Sequence, residues 1–181
     1  CILVAGAIAG EITVINISPL SRQADVAIVE ALSRAGAGIT TTSNTITVTK
    51  PDRLKAFEFD ATHCPDLFPA LVALAANCDG ESVIRGTGRL VHKESDRAAA
   101  LVEEFGKMGI VLDTGEEDTM KITGGLIRSA AIDSHNDHRI AMSAAVAALN
   151  ADGVMTITRA ECVNKSYPAF WEDLRQITVK K

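Results

Sequence analysis

FEFDATHCPDLFPALVALAANCDGESVIR, residues 57–85, carries the pattern on which the architecture rests. Alternating residues at the start suit a strand, Leu67 to Ala76 is apolar on nearly every side, as a helix buried all round must be, and Gly80 precedes a second alternating stretch. Laid without a gap over residues 130–158, AAIDSHNDHRIAMSAAVAALNADGVMTIT, the segment matches Asp60 with Asp133, Asn77 with Asn150, Asp79 with Asp152 and Gly80 with Gly153. Both copies read strand, loop, apolar helix, glycine, strand. An earlier copy enters partway, with Cys1 to Ala9 as the helix, Gly10 as the glycine and Glu11 to Ile15 as the strand.

A second helix follows each copy, at about 23–35, 96–108 and 168–177. In the middle one Ala98, Leu101, Val102, Phe105 and Met108 share one face, which leaves Arg97, Glu103, Glu104 and Lys107 for a solvated side. Gly36 and Gly109 stand where left-handed helix caps belong, and a hairpin is expected after each: Ile39–Thr42 with Ile46–Val48, and Ile110–Leu112 with Met120–Thr123. The chain is therefore expected to be α/β, one domain of three βαβαββ units around buried helices, at about 1–50, 57–124 and 130–178. The first unit lacks its opening strand and the last its hairpin.

Composition narrows the function. Of 181 residues 47% are hydrophobic, enough for a sizeable core. Eighteen Lys and Arg against 23 Asp and Glu leave a net charge of −5, without the basic surplus that drives nucleic-acid binding. The longest apolar stretch, Cys1 to Ala9, is far short of a membrane span and lacks the basic start of a signal peptide, so a soluble, cytoplasmic protein is expected. Cys1, Cys64, Cys78 and Cys162 have no metal-site spacing and fit reduced thiols, Cys78 as a packing residue. The chain opens at Cys1 within what reads as the end of a helix, so a fragment is expected.

The polar residues in need of explanation sit at helix starts: Asp66; Lys93-Glu94-Ser95-Asp96-Arg97; and His135-Asn136-Asp137-His138-Arg139. The repeat offset lays Asp66 over Arg139 and His92 over Lys165, so these groups should converge on one face. Helix starts offer free N–H groups and partial positive charge, and with Lys93, Arg97, Arg139 and Lys165 they would form an anion trap. Asp66 and Glu94 are then the only carboxylates expected among the cations, suited to acid and base work on an anionic substrate. Plainer readings exist for each: Asp66, Ser95 and Asp96 as helix caps, Lys93-Glu94 as a surface charge run, Lys165, His63 and His92 as surface residues. His135 and His138 are a weak metal pair without further ligands. Gly86-Thr87-Gly88 lacks the third glycine of a dinucleotide fingerprint, and no cofactor is implied.

At Pro65-Asp66, Lys93 to Arg97, Asn136 to Met142 and Asn164-Lys165-Ser166-Tyr167-Pro168 the chain strongly resembles the 5-enolpyruvylshikimate-3-phosphate synthase family, over essentially its whole length. The resemblance implies one domain of the two-domain enolpyruvyl transferase fold, with the other domain and an amino-terminal lysine segment absent. It implies transfer of the enolpyruvyl group of phosphoenolpyruvate to the 5-hydroxyl of shikimate 3-phosphate, with release of phosphate and without metal or cofactor. Asp66 resembles the carboxylate that holds and deprotonates the hydroxyl, and Glu94 the residue that handles the proton at the methylene carbon. Lys93 looks like a shikimate 3-phosphate contact; Arg97, Arg139 and Lys165 resemble the phosphoenolpyruvate clamp, with His138 beside them. The rivals are the sister transferase acting on UDP-N-acetylglucosamine and a non-catalytic anion-binding module. The Lys93 to Arg97 string favours the shikimate enzyme, and the Asp66 and Glu94 pair favours an enzyme.

Overall fold

The computed structural model describes residues 1–17, 23–91 and 93–178; His92 lies outside them. The first buried helix, α1 (Ile2–Ala9), leads into β1 (Glu11–Ile15). A 3-10 turn, Ala24–Ala27, precedes α2 (Ile28–Arg34), so the helix expected from 23 begins later, in tighter form. The hairpin β2 (Gly38–Thr41) and β3 (Thr45–Thr49) follows.

Then come β4 (Glu58–Asp60), α3 (Phe68–Ala76), β5 (Glu81–Arg85), α4 (Arg97–Lys107), β6 (Val111–Asp113) and β7 (Thr119–Thr123). Last are β8 (Ala131–Asp133), α5 (His138–Ala147), β9 (Thr156–Thr158) and α6 (Phe170–Thr178). Gly36 and Gly109 have φ of 88° and 82°, the left-handed conformation that ends a helix with least strain in glycine.

Strand pairing displays the repeat directly. β4 runs parallel to β5 with Glu58 opposite Val83, and β8 runs parallel to β9 with Ala131 opposite Thr156, the same register displaced by the sequence offset. The order β5-β7-β6 in one sheet is matched by β1-β3-β2 in another, all antiparallel.

Every residue of α3 is buried, as its all-round apolar sequence demands, and α5 is buried at all positions but Arg139. Arg139 Nη1 donates to the Asp66 carbonyl just before α3 (2.7 Å), and at the other end Asn77 Nδ2 donates to the Ala147 carbonyl (3.4 Å). Start meets start and end meets end, so the two helices lie side by side in the same direction. That brings two helix starts to one place on the surface. Beyond β7 the chain passes so close to the end of α3 that a Cβ on Gly124 would overlap the Cys78 carbonyl oxygen, which leaves room only for glycine.

One expectation fails in an informative way. The polar face of α4 is not wholly solvated: Glu103 and Lys107 reach water, but Arg97 and Glu104 are both 0% exposed. They face α5 and the turn before it, where carboxylates, amides and an imidazole take the place of water. Hydrophobic periodicity separates apolar from polar positions, but it does not separate water from a polar neighbour.

Candidate active site

Asp66 lies in the 3-10 turn Pro65–Leu67 that feeds α3, and its side chain makes no capping bond there. Its carboxylate turns instead to cations. Arg97 Nη1 donates to Oδ1 at 2.8 Å, Lys93 Nζ stands 3.2 Å from the same oxygen, and Arg139 Nη2 is 3.6 Å from Oδ2. Burial pushes the Asp66 carboxyl up, but Arg97, Arg139 and Lys93 outweigh it and hold the group below its ordinary value.

Arg97 is the hub. Its Nε donates to Asp137 Oδ2 at 2.7 Å and its Nη2 to Glu94 Oε2 at 2.5 Å, so one planar guanidinium aligns three carboxylates brought from separate segments. Asp137 is itself fully buried. It accepts from Ser95 Oγ at 3.1 Å and caps α5 by accepting from the Arg139 N–H at 2.9 Å. Burial raises the Asp137 carboxyl, but the Arg97 bond and the Arg139 N–H bring it below the ordinary range. Asp96 is the N-cap of α4, accepting from Ala99 N–H, whereas Ser95 is drawn to Asp137.

The fold thus gathers Asp66, Lys93, Glu94, Arg97 and Arg139, with Arg97 in the wall of the site: its side chain is only 1% exposed, against about a quarter for those of Lys93 and Arg139. Lys165 is exposed and stands on the adjoining turn, its Nζ donating to Asn136 Oδ1 at 3.3 Å. His138 opens α5 and is 9% exposed; burial lowers its pKa, which keeps the ring neutral at neutral pH.

Asp66 and Glu94 do not stand alone among the cations, contrary to expectation. Asp137 lies beneath them, and Asp25 Oδ2 is 3.8 Å from Arg139 Nη1. Lys93, Arg97 and Arg139 therefore face Asp66, Glu94, Asp137 and Asp25, three cations against four carboxylates. An arriving anion must compete with these carboxylates for Lys93 and Arg139. From the sequence Asp137 is legible only as a helix-start residue; nothing in the spacing shows that a charge forty positions earlier reaches it. Beside the cluster, Asp25, Asp66, Arg139, Met142 and Tyr167 help line a cavity of about 300 Å³.

His135 and His138 do not act together. His135 turns to α4, with Nε2 2.7 Å from Glu104 Oε1. Glu103, Glu104 and His135 have the spacing of metal donors, but Lys107 Nζ already bridges the two carboxylates at 2.9 and 2.8 Å. All four cysteines are free thiols; burial raises Cys64 and takes Cys78 to about 12, so neither supplies a thiolate near pH 7.

Asp66, Asp137 and His138 all have pKa values depressed by folding, so each contributes stability that is present above its unfolded value and lost as pH falls through the folded one. In this 181-residue chain stability should decline from about pH 8 as the desolvated Cys1 amino group, lowered to about 6, is forced to charge, decline further below the ordinary imidazole value of 6.5 as His138 does the same, and again below 3.8 as the two carboxylates protonate. Urea midpoints measured from pH 8 to pH 3 check this; a midpoint that rises on acidification contradicts it.

Repeated α/β units packed around buried helices, with a charged cluster at their converging starts, define the enolpyruvyl transferase class of fold. The chain superposes on EPSP synthase from Acinetobacter baumannii with a TM-score of 0.81 at 29% identity, over 97% of this chain and 44% of that one. It is 42% identical to the 3-phosphoshikimate 1-carboxyvinyltransferase of Methanocella arvoryzae over 98% of its length, and 40% identical to that of Thermococcus kodakarensis over 97%. The family model described as EPSP synthase (3-phosphoshikimate 1-carboxyvinyltransferase) matches residues 1–174, and the chain belongs to that family. It spans about two-fifths of the length of these curated relatives, 42% and 43%. No helix among the described residues is long and apolar enough to cross a membrane.

Proposed function

We propose that this chain forms one half of the active site of a cytoplasmic 3-phosphoshikimate 1-carboxyvinyltransferase, as one domain of three repeat units. The remainder of the longer family chain supplies the other half. The observation that carries this is the Arg97 hub, which holds Asp66 and Glu94 on two edges of one guanidinium. Two acid–base groups fixed to one rigid cation suit a reaction that removes one proton and adds another in the same place.

In that reaction Asp66, kept ionised by Arg97, Arg139 and Lys93, takes the proton from the 5-hydroxyl of shikimate 3-phosphate. The oxygen bonds to C2 of phosphoenolpyruvate while Glu94, in its acid form, adds a proton to C3, giving a tetrahedral intermediate. Glu94 then takes a C3 proton back, which re-forms the double bond as the C2–O bond to phosphate breaks. The hydroxyl proton held by Asp66 passes to the departing phosphate, so one product and inorganic phosphate leave and both carboxyl groups regain their starting states. Lys93, Arg139 and Lys165 bind the anionic groups of the two substrates, since their heads reach solvent; Arg97 acts from the wall by aligning the carboxylates. His138 borders them as a neutral ring. The relatives carry the shikimate enzyme's name, which favours that acceptor over a UDP-sugar.

The half-site should still bind. Titration of the isotope-labelled chain with shikimate 3-phosphate and then phosphoenolpyruvate, at low salt, is expected to move amide signals of Asp66, Lys93 to Arg97, Asn136 to Arg139 and Lys165. A folded spectrum in which both ligands move other residues instead would overturn the placement. Alone, the chain is expected to release negligible phosphate from the substrate pair; near-normal turnover would overturn the half-site reading.

A further inference from the structure

α4 carries two buried charges seven residues apart, hence on the same face: Arg97 and Glu104. Arg97 holds Asp137. Glu104 holds the other end of the same segment, its Oε2 accepting from the Asp133 N–H at 3.0 Å and its Oε1 lying 2.7 Å from His135 Nε2. Between these contacts His135 and Asn136 both adopt positive φ, 51° and 57°, two successive residues with side chains in the left-handed region. Asparagine enters this region readily as a single residue, but two successive residues with side chains there carry a steric cost that their surroundings must offset. Local bonds help, from His135 N–H to Asp133 Oδ1 and from Asn136 N–H to Ser134 Oγ. They do not tie the turn to the rest of the fold. Glu104 does so from below, and on the other side Arg159 pairs with Asp133 while its carbonyl accepts from Ser134 Oγ; the turn delivers Asn136 Oδ1 to Lys165 Nζ and Asp137 to Arg97.

We propose that Glu104 is a positioning residue of the active site: with Arg97 it clamps both ends of the turn 133–137 against α4, and through His135 and Asn136 it sets where the Lys165 ammonium stands. The link to catalysis rests on the reading of Lys165 as a substrate-anion ligand. A carboxylate is suited to the position because its two oxygens serve three donors at once: a backbone N–H, His135 and Lys107. Glutamine keeps one acceptor oxygen for the Asp133 N–H but presents an amide nitrogen where Lys107 and His135 now find an oxygen. Alanine removes all three contacts.

The test compares Glu104→Gln, Glu104→Ala and, as a control on the exposed neighbour that shares Lys107, Glu103→Gln, each in this 181-residue chain. Its first part needs no ligand. Backbone carbon shifts of His135 and Asn136 should move away from left-handed values in Glu104→Ala and partly so in Glu104→Gln, the Lys165 signals should move with them, and Glu103→Gln should leave all three unchanged. A variant that merely melts earlier, with the signals of 135, 136 and 165 in place, overturns the proposal; if the alanine variant does not fold, the glutamine variant decides. The second part titrates each folded protein with phosphoenolpyruvate, and Glu104→Ala should bind about tenfold more weakly or worse. A wild-type chain that ignores phosphoenolpyruvate overturns the proposed function, while the ligand-free part still decides the role of Glu104.

Discussion

Asp137→Ala is expected to destabilise the chain by about 3–5 kcal/mol, the cost typical of removing one partner from a buried ion pair. The physical cause is asymmetric. Arg97 stays fully buried, and its Nε loses Asp137, the one fully buried carboxylate it meets among the described residues, leaving half-exposed Asp66 and Glu94 to offset a charge out of water. The α5 cap is lost as well, worth about 1 kcal/mol by itself. Urea denaturation at pH 7.5 measures the sum. A loss under about 1 kcal/mol would mean that water reaches Arg97 and that the hub is not dry. Replacing both partners by apolar residues of similar volume, Arg97→Met with Asp137→Leu, should cost less than the single change, because no charge is then stranded.

The second large effect is on turnover. In an enzyme completed with the family's other domain, Asp66→Asn should lower kcat by about 10²–10⁴-fold, the range for loss of a positioned general base. The amide still accepts from Arg97 Nη1 and fills the same space, so folding and the hub's geometry should survive. Steady-state phosphate release with both substrates reads the result, beside a melting curve to show that the variant is folded. Activity within threefold of wild type would remove Asp66 from the acid–base chemistry and leave it as a counter-ion for Arg97.

Much of this site is legible in the repeat. The constant offset puts the helix starts that carry Asp66, Lys93, Glu94 and Arg139 at one end, and parallel packing of α3 and α5 brings them together there. The geometry of Arg97 is not legible in the same way. Its position at the start of α4 reads as one more surface cation, and only the packing of α4 against α5 turns it into a wall residue. The same holds for Glu104, indistinguishable by periodicity from Glu103 one position earlier, yet buried beside two donors while its neighbour faces water.

What recurs along the chain follows from the amino-acid order alone: a strand register displaced by a constant offset, helices apolar on every side, and glycines where helices must end. These are local properties, written in spacings of a few residues and legible because period, propensity and turn chemistry agree. Which charges meet is settled by packing in three dimensions. Arg97 and Asp137 are forty residues apart, and Glu104 and His135 thirty-one, and no local pattern records such pairs. Their partners are chosen by which face of α4 is pressed against the turn before α5, where a polar group without water must find a complementary group or prevent the packing.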